Sequence, residues 1–157
     1  MSGAFLSTPA SSYPVSSPRP PIIRATRASL RDGTRVIVRP VRPDDARYGD
    51  AFFSWLSEET KYMRFMYPVK ELTPDILAGV LTQDGLKRVA LVVEPVAHSA
   101  VDPTPAVAIG RYVATDDPEV CEFAITVGDP WQGRGVGRAV LARLIALAKR
   151  GGYKVMS

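Results

Sequence analysis

Ten residues, Asp129-Pro130-Trp131-Gln132-Gly133-Arg134-Gly135-Val136-Gly137-Arg138, constrain this chain more than any other stretch. A β-branched run, Val120–Val127, leads in, and an apolar-striped run over residues 139–149 leads out. The whole reads as strand, glycine-rich turn, helix. The glycines let the backbone pass close to a ligand with no Cβ in the way. The helix start offers N–H groups without intrahelical partners and the positive end of the helix dipole, which suits a phosphate. Arg134 and Arg138 flank it and can add charge-assisted hydrogen bonds. The plainer reading is a turn that only joins a strand to a helix, but three glycines and two arginines are more than such a turn needs.

Two familiar phosphate motifs do not fit. A dinucleotide fingerprint needs glycine where this chain has Arg138, and a P-loop needs Gly-Lys-Ser/Thr, which is absent. The pattern Gln/Arg-x-x-Gly-x-Gly/Ala does fit, as Gln132, Gly135 and Gly137. With the preceding Glu-Phe-Ala-Ile-Thr-Val and the basic helix that follows, it resembles the acyl-CoA pyrophosphate loop of the GCN5-related N-acetyltransferases, the GNAT superfamily.

Composition agrees with one soluble-type domain. The chain has 157 residues, 46% hydrophobic and 23% charged, enough for a core. No apolar run approaches the length that spans a membrane. One cysteine excludes an internal disulfide, and one cysteine with one histidine makes no zinc set, so no metal is expected. A reducing cytoplasm is the expected compartment. The net charge of +4 resides in Arg19, Arg24, Arg27 and Arg31, which no acid accompanies, and the rest of the chain is neutral. That distribution argues against a general nucleic-acid binder. From Pro130 onward six basic residues and no acid remain, a bias that suits a polyphosphate, although Lys149, Arg150 and Lys154 read as a solvated helix end.

Residues 1–28, rich in Ser, Pro and small side chains, are expected to be a disordered tail without the apolar core of a secretory signal, and residues 29–157 the domain. Residues 35–41 form a β-branched strand. Asp44-Asp45 opens a helix, with an Asp as N-cap and Tyr48, Ala51, Phe52, Trp55 and Leu56 facing the core. Residues 58–70 show no clear period. Thr73-Pro74 starts a second helix, to about Gln83. Strands over residues 89–94, 107–114 and Val120–Val127 make an antiparallel meander, with a polar loop between Pro95 and Pro105 whose His98 reads as exposed. A helix with Val140, Leu141, Leu144, Ile145 and Ala148 inward ends at Gly151-Gly152, and residues 153–156 start another strand. The fold class is α/β (α+β), a GNAT-like mixed, mostly antiparallel sheet flanked by helices, in the order β-α-α-β-β-β-α-β, with a parallel pair across the last helix.

The resemblance covers roughly residues 30–157. Within the superfamily, Tyr62-Met63-Arg64-Phe65 and Cys121-Glu122-Phe123-Ala124 are similar to bacterial protein-lysine acetyltransferase domains. The family implies an acetyl-CoA-dependent N-acetyltransferase acting on a primary amine, with a protein lysine the preferred acceptor. It implies that Ile125, Thr126 and Val127 pair with the pantetheine arm like an added strand, and that amides of Gln132, Gly133, Arg134, Gly135, Val136, Gly137 and Arg138 take the pyrophosphate. Glu122 is the candidate base: an acid inside an apolar strand is costly unless paired or protonated. Alternation puts it on one face with Ala124 and Thr126, where it serves either as base or as a structural partner of Arg111. Cys121 points the other way and reads as a small core residue.

Members of the family continue past the fifth strand through another helix and a closing hairpin, and that helix often supplies a tyrosine that protonates the leaving thiolate. The resemblance therefore expects this chain to be incomplete at its C-terminus: a fragment, a shortened product, or a half completed by a dimer mate or other partner. The competing functional readings are a non-catalytic acyl-CoA-binding or regulatory module and an inactive remnant. No nucleic acid and no membrane are expected among its partners.

Overall fold

The computed structural model describes residues 22–59, 61, 73–96 and 106–157. The tail up to residue 21, the aromatic and basic residues 62–65, and the loop residues 97–105 with His98 lie outside the described residues.

Among the described residues six strands form one sheet and stand side by side in sequence order: β1 (Thr26–Ser29), β2 (Arg35–Pro40), β3 (Arg88–Pro95), β4 (Ala108–Ala114), β5 (Val120–Val127) and β6 (Val155–Met156). Among the described residues the bounded α-helices are α1 (Gly49–Ser54), α2 (Pro74–Leu81) and α3 (Val136–Arg150), and residues 58, 59 and 61 are also helical. β1 to β5 pair antiparallel in succession, and β5 pairs parallel with β6. The parallel pair arises because α3 carries the chain back along the sheet before β6 begins. The mixed sheet and the order of its elements are those expected from the sequence, with one addition.

The addition is β1. A tail is expected up to Ala28, but residues 26–28 already lie in a strand, with Arg27 opposite Ile37 and Ala28 opposite Val36. Thr-Arg-Ala-Ser has no apolar alternation of its own. Its conformation is set by the partner strand and by the turn between them, where Gly33 takes φ 87° and Asp32 Oδ1 accepts the Thr34 N–H at 2.9 Å.

The two faces of the sheet differ. On one, Val36, Val38, Leu91, Val93, Tyr112 and Cys121 pack with Val140, Leu144 and Leu147 of α3. β4 and α3 approach so closely at Gly110 that a Cβ there would run into Val140 Cγ1 and come within 3.3 Å of Ile125 Cγ1 and Leu144 Cδ1. On the other face a smaller cluster joins Val41, Ala90, Val92 and Ala106, with Leu81 and Ile109 against it.

A buried ion pair lies on that second face. Arg39, 4% exposed, sends Nη1 and Nη2 to the two carboxylate oxygens of Asp45 at 2.9 and 2.7 Å, and its Nε lies 3.4 Å from Glu94 Oε2. Asp45 Oδ2 also accepts the Arg42 N–H at 2.6 Å. The expected N-cap Asp is thus at the third position of a 3-10 helix, Pro43–Tyr48, with Arg42 at the cap. Burial works to raise the Asp45 carboxyl, but the bonds from Arg39 and Arg42 outweigh it and hold it below the ordinary carboxylate range.

The aromatics around that turn are buried to different depths. Phe53 and Leu56 are buried, at 7% and 6% exposure, while Tyr48, Phe52 and Trp55 are half-buried. Leu56 is buried as expected and Trp55 packs against the main core cluster, so the change to the expected stripe is the burial of Phe53.

Candidate functional site

β5 carries the first part of the site. Phe123 N–H donates to Ser157 O at 2.9 Å and Ser157 N–H donates to Cys121 O at 3.0 Å, so the odd-numbered residues of β5 turn their main-chain groups toward β6. The even-numbered ones, including Thr126 opposite Ile109, turn theirs toward β4. The register with β6 covers only Val120 and Cys121. The main-chain groups of Ile125 therefore lie on an open edge, without a partner among the described residues. Val127 shares that edge, and its carbonyl accepts Gln132 Nε2 at 3.1 Å. Thr126 itself is 4% exposed, and its Oγ1 is buried without a hydrogen-bond partner.

The turn after β5 is fastened to the rest of the fold before it opens. Gly128 N–H donates to Val107 O at 2.9 Å, Asp129 N–H to Trp55 O at 3.3 Å, and Ser57 N–H to Asp129 Oδ1 at 3.2 Å. A short 3-10 helix, Asp129–Trp131, follows. Gly133 and Gly135 then take φ 74° and 91°, the left-handed region where glycine is favoured.

The backbone N–H groups of residues 133–138 meet no carbonyl among the described residues. The next to do so is Ala139, which donates to Gly135 O at 3.1 Å. Gly135 is the N-cap of α3, and no side chain caps it. A Cβ on Gly133 or Gly135 would meet nothing within 4 Å, and one on Gly137 would meet only Val127 Cγ2 at 3.7 Å. Gly137 is thus neither crowded nor strained by its own protein. This is the profile of a cradle for an anion: consecutive free donors, a helix dipole aimed at them, and space that the protein does not fill.

The two arginines of the loop differ. Arg138 is exposed in the first turn of α3. Arg134 lies over the Trp131 ring, 4.1 Å from its centroid, and sends Nε and Nη2 to Asp32 Oδ2 at 3.0 and 2.8 Å and Nη2 to Thr34 Oγ1 at 3.0 Å. The Asp32 carboxyl is pulled down to about 2, first by the Thr34 N–H, then by the Thr34 hydroxyl and Arg134. This contact between the loop and the β1–β2 turn had no signal in the sequence. Val136 is in the core, at 1% exposure, so only its main chain is available.

Glu122 departs from expectation in depth. It lies on the face away from α3, opposite Val113, as alternation requires, but it is exposed instead of buried. The structural alternative is not formed either. Arg111 stands opposite Ala124, donates to Gly79 O at 2.8 Å, and has no ion pair with Glu122 among the described residues. Burial, with the nearby Arg88 charge, pushes the Arg111 guanidinium below its usual value. Cys121 is fully buried and burial pushes its thiol up, which suits a core residue and not a nucleophile. No metal-ligating cluster occurs among the described residues, and none of their helices is long and apolar enough to cross a membrane.

Comparison with known proteins gives a consistent picture. No family model matches the chain. It is similar to an acetyltransferase of Pseudomonas aeruginosa, 33% identical over 128 residues that make up 82% of this chain and 67% of that protein. It is similar to the GNAT domain of S. lividans PAT, with 30% identity and a TM-score of 0.72 over 83% of this chain and 74% of that one. YncA of Salmonella typhimurium, solved with its cofactor acetyl-CoA, shares the fold at 21% identity and a TM-score of 0.52, over 77% of this chain and 67% of that one. The relationship to the Pseudomonas and S. lividans proteins, together with the mixed sheet and the glycine loop, shows that the chain belongs to the GCN5-related N-acetyltransferases, the GNAT superfamily, and is an acetyltransferase.

Proposed function

We propose that this acetyltransferase binds acetyl-CoA along the open edge of β5 and the 133–138 loop and passes the acetyl group to a primary amine, with a protein lysine as the acceptor. The observation that carries the proposal is the run of unpartnered amides at residues 133–138, continuous with the open main-chain edge at Ile125. The donor supplies an acyl group already activated as a thioester. The chain's own residues do the rest. The amides of residues 133–138, helped by the exposed Arg138, hold the pyrophosphate. The Ile125 N–H and C=O are free to pair with the amide-bearing arm, and the Ile125 N–H suits the thioester carbonyl as a fixed donor. Thr126 contributes its place in β5, since its main chain belongs to β4.

Glu122 is the proton acceptor for the amine in this reading. It stands about 10 Å along the strand from Ile125, three residues at the usual rise, so water completes the path. The cytoplasm, where the single cysteine stays reduced, is the compartment that fits. The test has two parts. Saturating acetyl-CoA, at about 100 times its dissociation constant, should add about 2.7 kcal/mol and raise the unfolding midpoint by several degrees. A panel of lysine peptides and small amines should then show acetylation of the peptides. A cooperative transition that acetyl-CoA leaves unmoved would refute the loop assignment, and transfer to small amines alone would refute the acceptor.

A further inference from the structure

Arg134 sits in the middle of the amide cradle, between Trp131 and Gly135, yet its side chain turns away to the β1–β2 turn. Its partner Asp32 is 102 residues earlier in the chain. The pair is half-exposed, with 32% of the Arg134 side chain and 47% of the Asp32 side chain accessible. An ion pair so open to water adds little to stability. Its geometry is far more specific than that role needs. One carboxylate oxygen takes Nε and Nη2 together, the Thr34 hydroxyl takes Nη2 again, and the Trp131 ring covers the guanidinium. The other oxygen of Asp32 holds the Thr34 N–H, which fixes the turn. Meanwhile Gly133 and Gly135, on either side of Arg134, have no contact that a Cβ would feel, and no side chain caps α3. Left alone, two glycines with positive φ and six unpartnered amides would sample many conformations.

We propose that Asp32 is a positioning residue for the anion loop: it clamps Arg134 on Trp131 and so holds the 133–138 amides in the one arrangement that receives a phosphate-bearing ligand. The inference rests on the reading of that loop as a coenzyme A site. Asp32 acts through Arg134 and touches no substrate. It also pairs with the positive charge of Arg134. Nη1 of Arg134 has no hydrogen-bond partner among the described residues.

The experiment uses the full chain with three variants, Asp32→Asn, Asp32→Glu and Arg134→Lys. Backbone 15N order parameters are measured without ligand, and acetyl-CoA binding is measured by calorimetry. Asp32→Asn should lower the order parameters of Gly133 and Gly135 while those in the middle of α3 stay unchanged. It should weaken acetyl-CoA binding about tenfold, the effect of losing a charge-assisted hydrogen bond, and raise KM by the same factor with kcat within about twofold. Asp32→Glu, which keeps the charge, should recover part of the affinity, and Arg134→Lys should resemble Asp32→Asn because lysine cannot make the forked contact. The unfolding midpoint of the unliganded Asp32→Asn protein should stay within about 2 °C of the parent. Parent-like order parameters or parent-like affinity in Asp32→Asn would overturn the proposal, as would a loss of affinity explained by a fall in midpoint. If the unmodified protein binds no acetyl-CoA, the function proposed above fails on that titration alone, and the clamp is then decided by the order parameters.

Discussion

Gly110 in β4 and Gly137 at the start of α3 have opposite reasons for lacking a side chain. At Gly110 the space is taken: Val140 of α3 occupies the position a Cβ would need. At Gly137 the space is open, and only Val127 would be touched, at an ordinary distance. The first region is a seam between sheet and helix, where glycine permits close packing. The second is the open loop, where glycine leaves space that the protein itself does not fill. The contrast separates a residue that holds the fold from one that, on the function proposed above, serves the ligand, although both border α3.

That separation can be broken by substitution. The largest effect is expected at Glu122, which neighbours the buried Cys121 on β5 but faces water from the other side of the sheet. Glu122→Gln should reduce kcat about a hundredfold, as loss of a general base does, with the acetyl-CoA dissociation constant unchanged. An equal loss of turnover and binding would remove Glu122 from the chemistry. Next, Gly110→Ala should destabilise by about 1–3 kcal/mol through overpacking, read as a drop in the urea midpoint. Adding Val140→Ala to it should return part of that loss, and strictly additive losses would show that the two do not meet. Gly137→Ala should do the reverse of Gly110→Ala. The unfolding midpoint should hold or rise slightly, since alanine favours a helix, while acetyl-CoA affinity falls about tenfold.

The smallest effect concerns pH. The Asp45 carboxyl has a folded value below its unfolded one, so its contribution to stability is complete above the ordinary carboxylate value of about 4 and is lost as pH falls through the lower folded value. Stability measured from pH 5 down to pH 2 should fall in the parent, with a shallower slope in Asp45→Asn. Identical slopes would mean that the buried pair with Arg39 is not what titrates.

Much of this was legible from local pattern. The β-branched runs located β2 to β5, with Val120–Val127 matching end to end, and the apolar stripe located α3. The glycine spacing located the loop because left-handed backbone and close approach are demands that few other residues satisfy. What the sequence hid was set by distant partners. Thr26–Ser29 is a strand only because β2 is beside it. Phe53, which the helical spacing of the stripe did not include, is buried beside the expected Leu56. The Arg39–Asp45 pair crosses from the sheet to a helix start, and the Arg134–Asp32 clamp crosses most of the chain. Alternation told which face Glu122 takes but not how much would cover it, because depth depends on what packs on that face.

The fastenings of the loop also bear on how the protein reaches its native state. Ser57 meets Asp129 across 72 residues and Arg134 meets Asp32 across 102, so the cradle cannot close early from neighbours in sequence. Contacts of such separation form only after the intervening chain has ordered, because loop-closure entropy opposes them until other contacts share the cost. During synthesis Asp32 emerges 102 residues ahead of its partner Arg134. On the function proposed above, competence to take acetyl-CoA depends on these late contacts, so ligand capture would report the last stage of folding.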